Sequence, residues 1–285
     1  MSSKKIFDAV IIGSGINSLV AAAVLSKSGW RILVCERNDR AGGAIRTEQA
    51  TLPGFTHELL SSWHPLFVGG AAYALLKDDL DKKGLIYNNT ESPTGVICKE
   101  GSAILFTNPE KTLAEFAKLS DSDSWTKMLA EFMPKIDLAF GLLGADLWRL
   151  SSLKLARTAR KRFGNRGLVA TGAELLEPAQ PWLDRQFTSP VSKALLAPWA
   201  LHNGMGPDDA GSAFITKVIS AAIALGGMPV PVGGGIKLVD ALVSIISDHG
   251  GEVLTNADVA KVLVKNNKAY GVKLSNGQIF ESKRA

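Results

Sequence analysis

Residues 6–18 read I-F-D-A-V-I-I-G-S-G-I-N-S, an apolar and largely β-branched run that ends in two closely spaced glycines. Such a run is typical of a parallel strand that is covered on both faces. Residues 19–27, rich in Ala and Leu, predict a helix, and residues 31–35 (R-I-L-V-C) predict a second buried strand. A strand, a helix and a parallel strand within about 30 residues form the βαβ unit of an α/β fold.

The turn after the first strand has the composition of a phosphate-binding loop. Gly13 and Gly15 carry no side chains that would keep a phosphate from the free N–H groups and the positive dipole end of the helix. Ser18 takes the place of the usual third glycine and is still small enough for close packing of helix and strand. Glu36 ends the second strand, where a carboxylate accepts hydrogen bonds from ribose hydroxyls and disfavours a 2′-phosphate. The alternative is a tight turn beside a solvated glutamate, but the strand, helix and strand around the glycines favour a dinucleotide site.

A second glycine pair follows six residues after Glu36, in the run E-R-N-D-R-A-G-G-A-I-R-T at 36–47. Gly42 and Gly43 allow the backbone to pass close to the same ligand a second time. A simple nicotinamide dehydrogenase has no need of this second turn. The pair therefore points to a different class of dinucleotide enzyme.

The middle of the chain predicts a separate, largely helical domain. A short hairpin at 96–106 is followed by a helix toward Leu119, for which Asn108 is the predicted N-cap, and by further helices from about 121 to 225. A helix at 236–249 and strands at 252–281 then return to the α/β pattern. The last three strands predict a small antiparallel meander. We therefore expect an α/β domain formed by residues 1–85 and 229–285, with a helical domain at 86–228 inserted in it.

With these motifs the sequence resembles the FAD-dependent oxidoreductases related to phytoene desaturase and carotenoid isomerase, within the amine-oxidase-like flavoprotein superfamily. The subgroup it resembles is phytoene-dehydrogenase-like and includes the pyridine nucleotide-disulphide oxidoreductase domain protein 2 type. The resemblance covers the whole chain and includes both glycine turns, residues 53–67 (P-G-F-T-H-E-L-L-S-S-W-H-P-L-F), residues 200–213 and residues 229–242. It implies a Rossmann-like FAD-binding domain and a helical substrate or lid domain.

The resemblance also assigns roles to individual residues and implies FAD as cofactor. Glu36 would hold the adenosine ribose and Arg37 would flank the adenine, which the backbone at Val259 would touch. Ala44 stands where many relatives carry arginine, and the sequence leaves open whether Arg46 replaces that phosphate contact. The residues expected at the pyrophosphate and ribityl chain are Gly13, Gly15, Ile16, Asn17, Ser18, Gly42, Gly43 and Ala44.

The implied activity is that of a dehydrogenase or desaturase that moves a hydride from a lipophilic, polyprenoid or carotenoid-like substrate to flavin N5. The alternative is a non-catalytic prenyl- or lipid-binding chaperone on the same scaffold, like the GDP-dissociation inhibitors. In relatives the segment after residue 281 continues into a C-terminal half, so we expect this chain to be an N-terminal portion, with an inactive flavoprotein fragment as a further alternative.

His64 is the one catalytic candidate, because the corresponding segment of relatives runs toward the flavin ring. Its other interpretation is an imidazole that caps the turn before Pro65. Cys35 and Cys98 lack the spacing of metal ligands or of a disulfide framework, so no metal site is predicted.

The basic charge is concentrated in one segment. The chain has 32 Lys and Arg against 27 Asp and Glu, but residues 149–166 hold seven of the basic side chains and no acidic one, which leaves 25 against 27 elsewhere. We therefore expect no nucleic-acid partner. Read as a helix, the segment places Leu155, Ala156, Ala159 and Phe163 opposite the basic residues, which fits either peripheral contact with an anionic membrane or a solvated outer face. Only residues 1–5 precede the first strand, which favours a cytoplasmic location; the sequence does not indicate an oligomeric state.

Overall fold

The computed structural model describes residues 6–146 and 148–285. They divide into two compact units, which we call the α/β unit (residues 6–88 and 229–285) and the helical unit (residues 89–228). The first boundary lies three residues beyond the expected one because Tyr87–Asn88 pairs with Val230–Pro231 in the α/β unit. Residues 1–5, on which the expectation of a cytoplasmic location rests, lie outside the described residues.

Most of the strands belong to the α/β unit. The strands are β1 (Ile6–Phe7), β2 (Ala9–Ile12), β3 (Ile32–Cys35), β4 (Thr47–Glu48), β5 (His57–Glu58), β6 (Tyr87–Asn88), β7 (Thr94–Cys98), β8 (Gly101–Leu105), β9 (Val230–Pro231), β10 (Glu252–Leu254), β11 (Val259–Lys265), β12 (Lys268–Leu274) and β13 (Ile279–Ser282).

The helices lie in both units. They are α1 (Ile16–Lys27), α2 (Pro65–Val68), α3 (Ala71–Lys82), α4 (Pro109–Lys118), α5 (Ser122–Phe132), α6 (Ile136–Leu143), α7 (Leu153–Leu175), α8 (Ala179–Gln186), α9 (Pro190–Leu196), α10 (Pro198–Leu201), α11 (Ser212–Gly226) and α12 (Ile236–Asp248), with 3-10 turns at Met133–Lys135 and Leu150–Ser152.

A parallel sheet in the order β10-β3-β2 forms the centre of the α/β unit. Strand β3 is buried along its whole length, as its apolar sequence predicts. Helices α1, α3 and α12 pack together beside this sheet. Leu19, Leu76 and Leu242 are fully buried in the resulting core, where each such side chain contributes about 2 kcal/mol through removal of apolar surface from water.

The first predicted strand is divided at Asp8. Strand β1 pairs with β13, and β2 pairs with β3. Asp8, between β1 and β2, is held to Arg31: its backbone N–H donates to the Arg31 carbonyl (2.7 Å), and its carboxylate accepts from the Arg31 N–H (2.9 Å). The expected burial on both faces is also incomplete, since Ile12 is 50% exposed. The division lets one segment of chain take part in two sheets.

The predicted meander is present as β11, β12 and β13. Its first turn is formed by Asn266 and Asn267, whose positive φ values of 51° and 59° suit a tight hairpin. Strand β1 extends the meander to four strands through its parallel pairing with β13. Phe7 and Phe280 meet edge to face in the core below it, with ring centroids 6.2 Å apart.

The helical unit begins with the β7–β8 hairpin and continues in helices α4 to α11. Asn108 caps α4 as its sequence predicts: its side-chain oxygen accepts from the Lys111 N–H at 3.0 Å. Phe116 and Trp125 stack with centroids 4.7 Å apart and join α4 to α5. In the part of the chain that the structure describes, no helix is long and apolar enough to cross a membrane.

The basic segment 149–166 is not the single helix that its periodicity predicts. Leu150–Ser152 forms a 3-10 turn, α7 begins at Leu153, and Gly164 leaves helical geometry with φ 70° and ψ −177°. Its apolar residues Leu155, Ala156 and Ala159 line a cavity inside the helical unit. The helix therefore bends where the sequence pattern assumes a straight axis.

Candidate dinucleotide site

The first glycine turn leaves open space at the start of α1. Gly13 has a φ of +87°, and no atom lies within 4 Å of the position that a Cβ would take at Gly13 or at Gly15. Gly15 is the N-cap of α1 and supplies no capping side chain, and no acidic residue stands in the first turn of the helix. The first N–H groups and the positive end of the helix dipole therefore remain available to an anion.

The second glycine turn lies against the first. Gly15 and Gly42 form a parallel bridge, and the Gly42 N–H donates to the Ser14 carbonyl at 3.1 Å. A Cβ at Gly43 would lie 2.8 Å from the Gly15 Cα, so a larger residue would force the two turns apart. Two glycine pairs that are some thirty positions apart in sequence thus form one cradle, in which Gly43 is exposed and Gly42 is buried beneath it.

Glu36 is 5% exposed at the end of β3 and accepts four hydrogen bonds. One carboxylate oxygen accepts from the Ser14 N–H (2.8 Å) and Oγ (2.6 Å), and the other from the Asn38 N–H (2.9 Å) and Nδ2 (2.8 Å). Burial by itself raises the pKa of Glu36, but these hydrogen bonds favour the charged form and together hold the pKa below its ordinary value. The carboxylate is therefore ionised at neutral pH.

Ser14 is a residue of the site that no sequence motif singles out. Its side chain is fully buried, and its Oγ donates to Glu36 and accepts from the Gly42 N–H at 3.2 Å. It therefore ties the first glycine turn to both the ribose-side carboxylate and the second glycine turn. The only signal in the sequence is a small hydroxyl residue between two glycines, which by itself is equally typical of an ordinary turn.

The segment before β11 runs beside the end of β3. The Ala257 N–H donates to the Glu36 carbonyl (2.7 Å) and the Asn256 N–H to the Asn38 carbonyl (2.8 Å). Val259, which follows directly, is half-buried against the core below Cys35. The structure thus brings the predicted adenine-side backbone to the same edge as Glu36 and the exposed Arg37.

The other predicted contacts differ in their exposure. Asn17 and Ala44 are exposed, whereas Ile16 and Ser18 in the first turn of α1 are half-buried. Arg46, the possible substitute for an arginine at position 44, is already engaged: its Nε donates to Glu48 at 2.8 Å, and Arg40 donates to the same oxygen. Arg46 is therefore already paired with a carboxylate beside the second turn.

Residues 11–79 match the family described as the NAD(P)-binding Rossmann-like domain. This segment is a Rossmann-like dinucleotide-binding domain. Among curated relatives, pyridine nucleotide-disulfide oxidoreductase domain-containing protein 2 of Rattus norvegicus is 31% identical over 97% of this chain and 52% of the relative. Prolycopene isomerase 1, chloroplastic, of an Oncidium hybrid cultivar is 27% identical over 97% of this chain and 47% of the relative.

These relatives confirm the resemblance that the two glycine turns indicate. A solved structure of putrescine oxidase shares the fold, with a TM-score of 0.59 at 18% identity over 98% of this chain and 57% of that structure. The chain spans about half the length of the curated relatives it matches.

Strands β4 and β5, which follow the second glycine turn, lie against the start of α12. Glu58 Oε1 accepts from the Thr47 Oγ1 (2.5 Å) and from the Gly235 N–H (2.8 Å), and the Thr47 Oγ1 accepts from the Ile236 N–H (3.0 Å). A Cβ at Gly234 would lie 2.5 Å from the Thr47 Cγ2, which explains the need for glycine before α12. Strands β4 and β5 thus cap α12 and leave its N-terminus engaged.

His64 lies elsewhere in the Rossmann-like domain's unit, at the N-cap of α2. His64 is 8% exposed, and its ring Nδ1 lies 3.0 Å from the Tyr87 hydroxyl. Its backbone N–H donates to the Pro229 carbonyl at 3.2 Å. Its Nε2 is buried without a hydrogen-bond partner. Burial lowers the pKa of His64 against the attraction of Glu58, so the imidazole is neutral at pH 7. The imidazole makes no capping hydrogen bond to α2, so the interpretation as a turn cap is wrong, whereas the catalytic interpretation remains a prediction.

Proposed function

We propose that this chain provides the FAD-binding region of a flavin-dependent oxidoreductase. The observation that carries the proposal is the contact between Gly15 and Gly42 beside the uncapped start of α1, with Glu36 ionised at the adjacent strand end. A nicotinamide dinucleotide needs only the first turn, whereas a cofactor that also passes Gly42 and Gly43 uses both. The shape of this cradle, and its lack of side chains, fits a pyrophosphate followed by a ribityl chain.

In this proposal the residues of the chain position the cofactor. The N–H groups at Gly15, Ile16 and Asn17 would bind the pyrophosphate, and glycine at position 43 lets the second turn lie against Gly15. Glu36 accepts from the adenosine ribose, where a hydroxyl takes the place of the exposed Asn38 amide. A 2′-phosphate is disfavoured there by its charge. When bound, FAD supplies an acceptor for a hydride from a substrate C–H bond.

The substrate that we propose is lipophilic and polyprenoid or carotenoid-like. The resemblance implies this class, and one relative is named for prolycopene. Hydride transfer from the substrate C–H bond is a reaction of the whole protein. Within this chain, we propose His64 as the candidate for a catalytic role in that step.

Titration of the purified chain with FAD, followed by flavin absorbance and fluorescence, tests the cofactor proposal. We expect saturable binding that NADP does not displace. Glu36→Gln should raise the Kd for FAD about tenfold, since a charge-assisted hydrogen bond contributes about 1.5 kcal/mol. Gly43→Val should abolish binding because of its contact with Gly15.

The matched control is Glu100→Gln, which removes an exposed carboxylate from the turn of the β7–β8 hairpin and should leave the Kd unchanged. A folded protein that stays colourless and gains no flavin signal with excess FAD would refute the proposal. That result would favour the lipid-binding chaperone alternative.

A further inference from the structure

An apolar cavity lies inside the helical unit, with a volume of about 310 Å³. Helix α6 contributes Leu138 and Leu142 to its wall, and α11 contributes Phe214. At about 30 Å³ for each water-sized group, the volume accommodates a chain of about ten methylene groups. Walls that are largely apolar favour apolar molecules over water.

The bend in α7 builds this cavity. Two of its lining residues, Leu155 and Ala159, lie before the bend at Gly164. Two others, Leu168 and Leu175, lie after it, and all four line the same cavity. In a straight helix Leu155 and Leu175 would lie about 30 Å apart along the axis. The apolar side of the basic segment is therefore used internally, while Arg157 on the same helix stays exposed.

One end of the cavity is polar and continues into a second recess. Lys135, Glu174 and Lys217 line both spaces. The charged residues of the recess are four cations, Lys127, Lys135, Arg185 and Lys217, and three carboxylates, Glu131, Glu174 and Glu177. The recess therefore has an excess of one positive charge.

Lys217 is the cation best placed to serve a ligand at this junction. Its side chain is only 14% exposed, and its ion pair with Glu177 is long, at 3.4 Å. Glu177 is also paired with Arg185, whereas Lys135 has a close partner in Glu174 at 2.5 Å. The Lys217 ammonium also lies 4.9 Å from the centre of the Trp182 ring. The positive charge of Lys217 is therefore less fully neutralised by a carboxylate than that of Lys135.

We propose that this cavity binds a single-chain amphiphile with an anionic head group, such as a medium-chain carboxylate. The tail fills the space between α6, α7 and α11, and the head group pairs with Lys217 at the polar end. The inference concerns the helical unit alone and is independent of FAD binding.

Calorimetric titration with decanoate and with decanol tests the proposal, since the two share a ten-carbon chain and differ in the head group, an anionic carboxylate in one and a neutral hydroxyl in the other. We expect decanoate to bind with one site per chain. Gly172→Leu should weaken it at least tenfold, because Gly172 lines the cavity and has open space at its Cβ position. This change also adds a good helix former, so loss of folding does not account for the result. Ala159→Phe fills the cavity from the other arm of α7.

The head-group pairing is tested by Lys217→Met, with Lys154→Met as a matched control on the exposed surface of α7. Lys217→Met should weaken decanoate about fivefold to tenfold and leave decanol unchanged, and Lys217→Arg should restore decanoate binding. Lys154→Met should behave as wild type.

Unchanged decanoate affinity in both cavity-filling variants, or no decanoate binding by the wild-type chain, overturns the proposal. Equal affinity for decanol and decanoate, with no effect of Lys217→Met, overturns the anionic head group. Either failure leaves the outcome of the FAD titration untouched, so the two proposals are tested separately.

Discussion

His64 shows how a single buried side chain makes stability depend on pH. The imidazole Nδ1 lies 3.0 Å from the Tyr87 hydroxyl, and its Nε2 is out of contact with water. Burial keeps the pKa of His64 below its ordinary value, so the unfolded chain binds a proton at a pH where the folded chain does not. The folded state therefore loses stability as pH falls below about 6.5, the ordinary histidine pKa.

We predict that His64→Phe reduces this pH dependence. The free energy of unfolding of the wild-type chain, measured in urea, should decrease as pH is lowered from about 7 to about 5, and the variant should decrease less. Tyr87→Phe is the control: it removes the hydroxyl partner but leaves the imidazole buried, so the wild-type slope should remain. Identical slopes for wild type and His64→Phe would contradict the assignment.

At the scale of elements, the bend in α7 depends on one glycine. The φ of 70° and ψ of −177° at Gly164 lie in a region that only glycine adopts without strain, and no atom crowds its Cβ position. The bidentate pairing of Arg162 with Asp137, at 2.7 and 2.9 Å, ties the arm before the bend to α6. The free-energy cost of substituting Gly164 therefore comes from backbone strain and not from crowding around the new side chain.

We predict that Gly164→Ala lowers the free energy of unfolding by about 1–3 kcal/mol, the cost of a strained backbone conformation. Gly172→Ala in the same helix should instead raise it by up to about 1 kcal/mol, because Gly172 is helical and its Cβ position is open. Thermal or urea unfolding of the two variants separates these effects. Equal stabilities would show that α7 does not bend at Gly164.

At the scale of the whole molecule, the net charge of +5 comes from one segment. Arg157, Arg160 and Lys161 are exposed on α7 while its apolar side lines the cavity. Contact with an anionic membrane surface would then rest on these charges, beside the exposed side chains of Trp148 and Leu150. Such binding weakens as salt screens the charges.

We predict that the wild-type chain co-sediments with anionic phosphatidylserine vesicles at low salt and is released at high salt. Reversal of all three residues to glutamate should abolish sedimentation at any salt concentration, since it changes the local charge by six. Neutral phosphatidylcholine vesicles are the control. Equal sedimentation of the two proteins would contradict membrane contact through this segment.

Local patterns in the sequence were sufficient to predict the elements that neighbouring residues determine. Alternation and turn residues predicted the meander, the cap at Asn108 predicted the start of α4, and the glycine turns with Glu36 predicted the Rossmann-like domain. These features depend on backbone preferences and burial within short stretches of chain, which the order of residues expresses directly.

The tertiary structure alone decided how distant segments meet. It placed Gly15 against Gly42, gave Ser14 its link to Glu36, divided the first strand at Asp8 and folded both arms of α7 around one cavity. Each of these depends on contacts between residues far apart in the chain. A periodic pattern records which side of an element is apolar, but which partner covers that side is determined only when the chain packs.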